Sequence, residues 1–276
     1  MAALTLREAS RRRVLLAVAV LTLALLGLSW WGFSRLAAES DSGGLTSGEA
    51  RLAASVVLNI VMFGFSLIAA LGTAFLAGPT LSGETESGIS LAVLARPIRR
   101  SAVLLGKWLG LVVFGTGFVV LAGLAQCLVV WATVDYWPPQ PAAALALLAA
   151  QTIVLLTLAV LLSTVVSPMA SGVVAVGLFG ATWVAGVVGG IGAALGNDGV
   201  ARVGVVSRML LPTDGLWRGA MHGFQDSTLV AGLGSGFDGH PFLSQAPPTI
   251  TYLVWVAVWV AMVWGLAAAS FVRKDL

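Results

Sequence analysis

Residues 81–110 read LSGETESGISLAVLARPIRRSAVLLGKWLG, and the reading of this stretch decides what the rest of the chain is. It lies between two long apolar runs and carries Glu84, Glu86, Arg96, Arg99, Arg100 and Lys107. Glu84 and Glu86 at one end and Arg96 at the other complement the dipole of a helix over Glu84 to Ala95. Such a helix is about 18 Å long, too short to cross a bilayer. Pro97 pushes Arg96 out of helical geometry and can open the next helix. At 100° per residue Thr85, Ile89, Ala92 and Val93 share one face, while Leu91 and Leu94 lie opposite. A helix apolar on both faces wants cover on both. The ends of the flanking spans can supply one cover. A second protein, or the chain's own fold, must supply the other.

Outward from this stretch the chain is apolar. Of 276 residues 58% are hydrophobic and only 10% are charged, with a mean hydropathy of +0.97. A soluble domain is about one-quarter charged, and a soluble fold of this size has no way to hide so much apolar surface. Runs of roughly 20 apolar residues span a bilayer. Six occur, at about 14–33, 52–76, 104–134, 142–166, 172–195 and 250–271. The expected fold is therefore all-α, one polytopic membrane domain over 1–276. A polar loop is expected at 35–51, and Gly78-Pro79 is expected to end the second span. The basic residues before the first run also fit a signal peptide, but the run is too long and a small-residue cleavage site is not evident.

Six spans put both termini on one side. Arg7, Arg11, Arg12, Arg13, Arg96, Arg99, Arg100, Lys107, Arg273 and Lys274 fall on that side. The positive-inside rule makes it cytosolic, so segments 1–13 and 77–103 face the cytosol of a cell or inner membrane. Segment 1–13 is basic and weakly amphipathic. Segment 196–249 then lies outside, with short helices from Val200 to Leu211 and from Gly215, the latter capped by Thr213 or Asp214, resting at the outer leaflet or dipping into it. The formal charge of +3 is no argument for nucleic acid, because the basic residues flank spans.

Chemistry-bearing motifs are sparse. No ionisable residue is expected well within a span, which disfavours a secondary transporter. Asn59, Gln126 and Gln151 are the strongest polar residues there and suit interhelical hydrogen bonds. A phosphate-binding loop needs G-x-x-x-x-G-K-[ST]. Gly106-Lys107 is followed by Trp108 and has Ser101 where the first glycine belongs, so the chain is not expected to hydrolyse ATP. Nor does it show a catalytic triad or carboxylate pair. The run GGIGAALG sits in a span with no preceding strand, and is no dinucleotide fingerprint. Met209, Met221 and His222 are copper-compatible donors, with apolar packing the competing reading. Cys127 lies alone in an apolar run. Glycines four apart, at 106/110, 186/190 and 192/196, suit close helix approach.

The pattern Glu84-x-Glu86-x-Gly88, Arg96-Pro97-x-x-Arg100, Gly106-Lys107 resembles the type-2 permeases of ATP-binding-cassette (ABC) transporters, and among them the NosY-like branch often grouped with multi-copper enzyme maturation. The six-span plan, LPTDGLW before the last span and the Arg273-Lys274-Asp275 tail are also similar. Gly88-Ile89 departs from the Gly-Thr pair often found there. The resemblance implies a dimer of permeases with two cytosolic ABC ATPase subunits that bind ATP and magnesium. It makes Glu84, Glu86, Gly88, Arg96, Pro97, Arg100, Gly106 and Lys107 the coupling or ATPase-contact residues of an exporter. The alternative reading is a membrane scaffold that assembles an extracytoplasmic enzyme, such as a multi-copper protein, through 196–249.

Overall fold

The computed structural model describes residues 13–44, 46–86, 100–226, 230, 240–244 and 246–273. Among these, eight helices follow one another: α1 (Arg13–Asp41), α2 (Ser47–Glu86), α3 (Arg100–Val134), α4 (Pro141–Val165), α5 (Pro168–Ala194), α6 (Asp198–Leu210), α7 (Thr213–Phe224) and α8 (Ile250–Arg273). No strand occurs among the described residues. Six helices (α1 to α5 and α8) are long and apolar enough to cross a membrane, as the sequence predicts. α2 and α4 form the centre, with over half of each apolar window buried, and α1, α3, α5 and α8 surround them.

The ends of the helices differ from expectation in instructive ways. The loop predicted at 35–51 shrinks, because α1 runs on to Asp41. The chain then turns at Gly43, whose φ of +79° suits a residue without a Cβ. α2 restarts on a capping box. Glu49 N donates to Thr46 Oγ1 at 3.3 Å, and Thr46 N donates to Glu49 Oε2 at 2.9 Å. Gly78-Pro79 does not end α2, which continues to Glu86. Proline removes one intrahelical hydrogen bond, but leaving helical geometry near a membrane exposes several unsatisfied backbone groups instead. Glu84 to Glu86 are thus the end of a 40-residue helix rather than the start of a new one. The rest of the expected 84–95 helix lies outside the described residues. Pro141 and Pro168 open α4 and α5 at positions where a missing N–H costs nothing.

The interior falls into two halves. At one end Leu104, Leu111, Leu155, Leu156, Phe179 and Ala267 join the spans directly. At the other, α7 fills the space between the spans. Trp217, Met221 and Phe224 are fully buried there with Leu58, Met62 and Phe65 of α2. Of the two short helices expected to rest at the outer leaflet or dip into it, α7 is packed into the bundle, whereas α6 has only Gly204 buried. α5 ends at Ala194, and Gly196 (φ +67°) reverses the chain. Asn197 caps α6 by accepting Val200 N at 3.1 Å. α6 then runs back alongside α5. The approach is close because a Cβ on Gly189 would lie 2.6 Å from Gly204 Cα, and one on Gly192 2.7 Å from Ala201 N. The glycines at this contact are 189 and 192, spaced three apart, while Gly186 faces Asp214 of α7 and Gly196 serves the turn.

Candidate functional site: the polar tip of an inserted helical hairpin

α6 and α7 form a hairpin whose tip is the break Leu211-Pro212. Thr213 Oγ1 lies 2.9 Å from Thr182 Oγ1 on α5. Thr182 is twelve positions before Ala194, so the tip reaches about 18 Å below the end of α5. Ending a helix at that depth leaves carbonyls that water cannot satisfy. α8 answers them with a row of donors. Trp259 Nε1 donates to Leu210 O at 2.8 Å, Trp255 Nε1 to Met209 O at 3.2 Å, and Tyr252 Oη to Pro212 O at 3.2 Å. Positions 252, 255 and 259 share one helix face. Gln151 of α4 covers the next carbonyl, its Nε2 donating to Thr213 O at 3.3 Å, while its Oε1 accepts Ser66 Oγ from α2 at 2.8 Å. The tip is tied to four spans, α2, α4, α5 and α8. The interhelical role expected for Gln151 holds. It holds also for Gln126, which donates to Ser29 Oγ at 2.6 Å, whereas Asn59 Nδ2 donates at 2.9 Å to Phe242 O in the loop segment 240–244 and so ties helix to loop.

Asp214 sits in the first turn of α7 with its side chain 1% exposed. It caps nothing, because the N-cap position is Pro212. Its Oδ2 instead receives Arg218 Nε at 3.1 Å and lies 3.2 Å from Arg208 Nε. The Arg208 contact lacks hydrogen-bond alignment, so it is an ion contact only. Arg218 also donates to Gly186 O at 2.7 Å. Only glycine fits at 186, since a Cβ there would collide with the Asp214 carboxylate. Two guanidinium groups on one carboxylate leave one excess positive charge. They border a cavity of about 740 Å³ between α6, α7 and the start of α8.

The far end of α7 is tied to loops. Tyr136 Oη donates to Phe224 O at 2.8 Å, and burial pushes the Tyr136 hydroxyl pKa up. Gln140 N donates to Gly223 O at 3.0 Å. Segment 240–244 lies across this end. Gln225 and Ser244 exchange two hydrogen bonds, and Phe242 joins Phe63, Trp183 and Trp217 in an aromatic group with centroids 4.8–6.2 Å apart.

The residues singled out from the sequence are elsewhere. Glu84 and Glu86 close α2, Arg100 opens α3, and Gly88, Arg96 and Pro97 lie outside the described residues. Gly106 and Lys107 are two turns into α3. Lys107 is 9% exposed. Its neighbour Trp108 donates to Thr157 Oγ1 on α4 at 3.0 Å. Met209 is half exposed and Met221 fully buried, while His222 Nδ1 lies 3.4 Å from Ser244 O. Sequence reasoning missed the arginine–aspartate group, having placed Arg208, Asp214 and Arg218 in an outside loop. The i, i+4 spacing of Asp214 and Arg218 was its available signal.

Six helices long and apolar enough to cross a membrane, with a helical hairpin packed against them, define a multi-pass membrane protein. The chain belongs to the ABC-2 family of transporter proteins, whose family model matches residues 2–276. It is also similar to the "probable ABC transporter permease protein NosY" of Pseudomonas aeruginosa strain PAO1, with 37% identity over 106 residues. That match covers 38% of this chain and 35% of the relative, so the chain spans about a third of that curated protein.

Proposed function

We propose that this chain is the membrane-spanning permease subunit of an ABC transporter, that it moves its substrate outward, and that ATP with magnesium is hydrolysed by a separate cytosolic ATPase subunit. Two permease copies would carry two ATPase copies. Each ATPase would seat the segment 84–100, with Glu84, Glu86, Gly88, Arg96, Pro97 and Arg100 at the contact. Gly106 and Lys107 would pass the motion into α3. Both termini and 77–103 would face the cytosol. The observation that carries this reading is the length of α2. Its apolar run ends at about Leu76, before GPTLSGETE, yet the helix continues ten residues to Glu86, about 15 Å further. Such a helix would carry Glu84 and Glu86 beyond the bilayer, within reach of a soluble partner. Family membership and the NosY likeness support the same reading. The scaffold alternative is weaker, because α7, within 196–249, is packed into the bundle core.

The test has two arms. With Cys127 replaced by Ala, cysteines at Gly43 and Ser90 are reacted with an impermeant maleimide on intact cells. Labelling at 43 and protection at 90 are expected, and labelling at 90 from outside overturns the topology. Glu84→Arg or deletion of Pro97 is then expected to abolish permease-dependent stimulation of ATP turnover while membrane insertion persists. Unchanged co-purification and unchanged stimulation in both variants would rule out 84–100 as the coupling element.

A further inference from the structure

The cavity beside the arginine–aspartate group is more than a packing gap. Its polar end is formed by Arg208 and Arg218, which share a single carboxylate oxygen of Asp214. Arg218 is committed elsewhere, to Gly186 O. Arg208 is not committed in this way. Its side chain is 29% exposed, although its Nε is buried and makes only the ion contact with Asp214, so what it offers the cavity is the exposed part of the guanidinium. A partly dehydrated guanidinium with spare donors is an unsatisfied demand for an oxyanion. The remaining wall is mainly apolar and aromatic, with Met209, Trp255, Pro247 and Pro248, and carries the hydroxyl residues Ser244, Thr249 and Thr251. At about 740 Å³ the space matches that of small-molecule sites.

We propose that this cavity binds an amphipathic oxyanion, a phosphate- or carboxylate-bearing molecule whose charged end sits on Arg208 and Arg218 and whose apolar body lies along Met209, Trp255 and Pro248. The inference is independent of the coupling reading. The geometry supplies its own control. Arg202 lies on the same helix but is exposed and borders a different cavity, between α5, α6 and α8. Removing Arg208 leaves Asp214 and Arg218 as a neutral pair, so the hairpin keeps its internal tie.

The test uses the full chain in non-ionic detergent. It is titrated with short-chain phosphatidylglycerol, with short-chain phosphatidylcholine and with inorganic phosphate, by calorimetry and by thermal unfolding. Saturable binding of phosphatidylglycerol is expected. Arg208→Gln should weaken it about tenfold or more, the value of a lost charge-assisted contact, and Arg202→Gln should leave it unchanged. Thr251→Trp, at an exposed wall position, should block binding without touching the ion group, which keeps the test decisive if Arg208→Gln fails to fold. Arg208-dependent binding of inorganic phosphate would support the same site with a soluble oxyanion as its source, and phosphatidylglycerol alone would point to a lipid. Equal binding of phosphatidylcholine, equal binding in Arg208→Gln and wild type, equal loss in Arg202→Gln, or no saturable binding of any probe would overturn the proposal.

Discussion

Trp259→Phe tests the physical account of the hairpin most directly. Trp259 is 7% exposed, and its indole N–H meets Leu210 O at 2.8 Å, the last carbonyl of α6. Phenylalanine keeps an aromatic ring but removes the donor. Residue 212 is proline and has no N–H to offer in exchange. A buried carbonyl left without a donor costs about 1–3 kcal/mol. Hydrogen bonds between membrane helices average only about 0.6 kcal/mol, because the unfolded chain in the membrane finds other partners. Here the carbonyl closes α6 against α8 in a part-buried bond, so we expect about 2 kcal/mol. At 2–4 °C per kcal/mol for chains of this size, the melting temperature should fall by about 4–8 °C. The smaller ring also leaves a gap, which a second substitution separates. Replacing Trp259 by benzothienylalanine puts sulfur where the N–H was and keeps the shape. Thermal unfolding in detergent, followed by near-ultraviolet circular dichroism, reads both. If the sulfur isostere melts within about 1 °C of wild type, an unsatisfied carbonyl is worth far less here than the general range implies, and the donor row on α8 is packing, not capping.

Three further outcomes follow from the same geometry. Asp214→Asn leaves two partly buried arginines without a counter-charge, so we expect a loss of about 3–5 kcal/mol. Adding Arg208→Gln should restore part of it, measured by denaturant unfolding in micelles. Gly189→Ala drives a Cβ to within 2.6 Å of Gly204 Cα, where backbone must move. It should cost about 1–3 kcal/mol, whereas Gly177→Ala, with open space around it, should be neutral by the same measurement. His240 Nδ1 accepts Phe242 N at 3.2 Å, a bond the protonated ring cannot accept, and burial holds its pKa below the ordinary 6.5. The folded form therefore disfavours the proton. Stability should be full above pH 6.5 and fall as pH drops from there through the lower folded value. Melting curves from pH 8 to 5 should show a slope that His240→Asn reduces.

The spans were legible because the bilayer imposes one strong rule, that apolar runs of a fixed length become helices. Asn59, Gln126 and Gln151 were legible for the same reason, since a polar side chain in a span must find a partner. The hairpin was harder. α6 and α7 have 13 and 12 residues, too few to span, and Arg208, Asp214 and Arg218 read as the charges of an exposed loop. What places them inside is their mutual neutralisation and the donors of α8, which are contacts between segments far apart in sequence. Trp255 and Trp259 look from the sequence like ordinary span residues. Gly78-Pro79 misled in the opposite direction. Its local preference for a break is real, but the backbone cost of breaking near a membrane is larger.

α2 links the hairpin tip to the charged segment. This helix carries Ser66, which holds Gln151 and through it the carbonyl of Thr213 at the hairpin tip. It also carries Glu84 and Glu86, twenty positions on, or about 30 Å along the same axis. No turn intervenes. On the coupling reading, a pull on 84–100 displaces α2 as one body and shears the Ser66–Gln151 contact at the hairpin tip. Packed interiors shift between discrete arrangements more readily than they stretch, so the tip has reason to reseat as a unit. The arginine-bordered cavity lies along this hairpin, and reseating the tip changes its shape. Ser66→Ala removes one link while leaving every other tie in place. It should therefore leave ATPase binding intact and reduce the dependence of ATP turnover on the permease. Equal stimulation by Ser66→Ala and wild type would show that motion reaches the cavity by another route, with α3 and its Trp108–Thr157 bond to α4 the next to break.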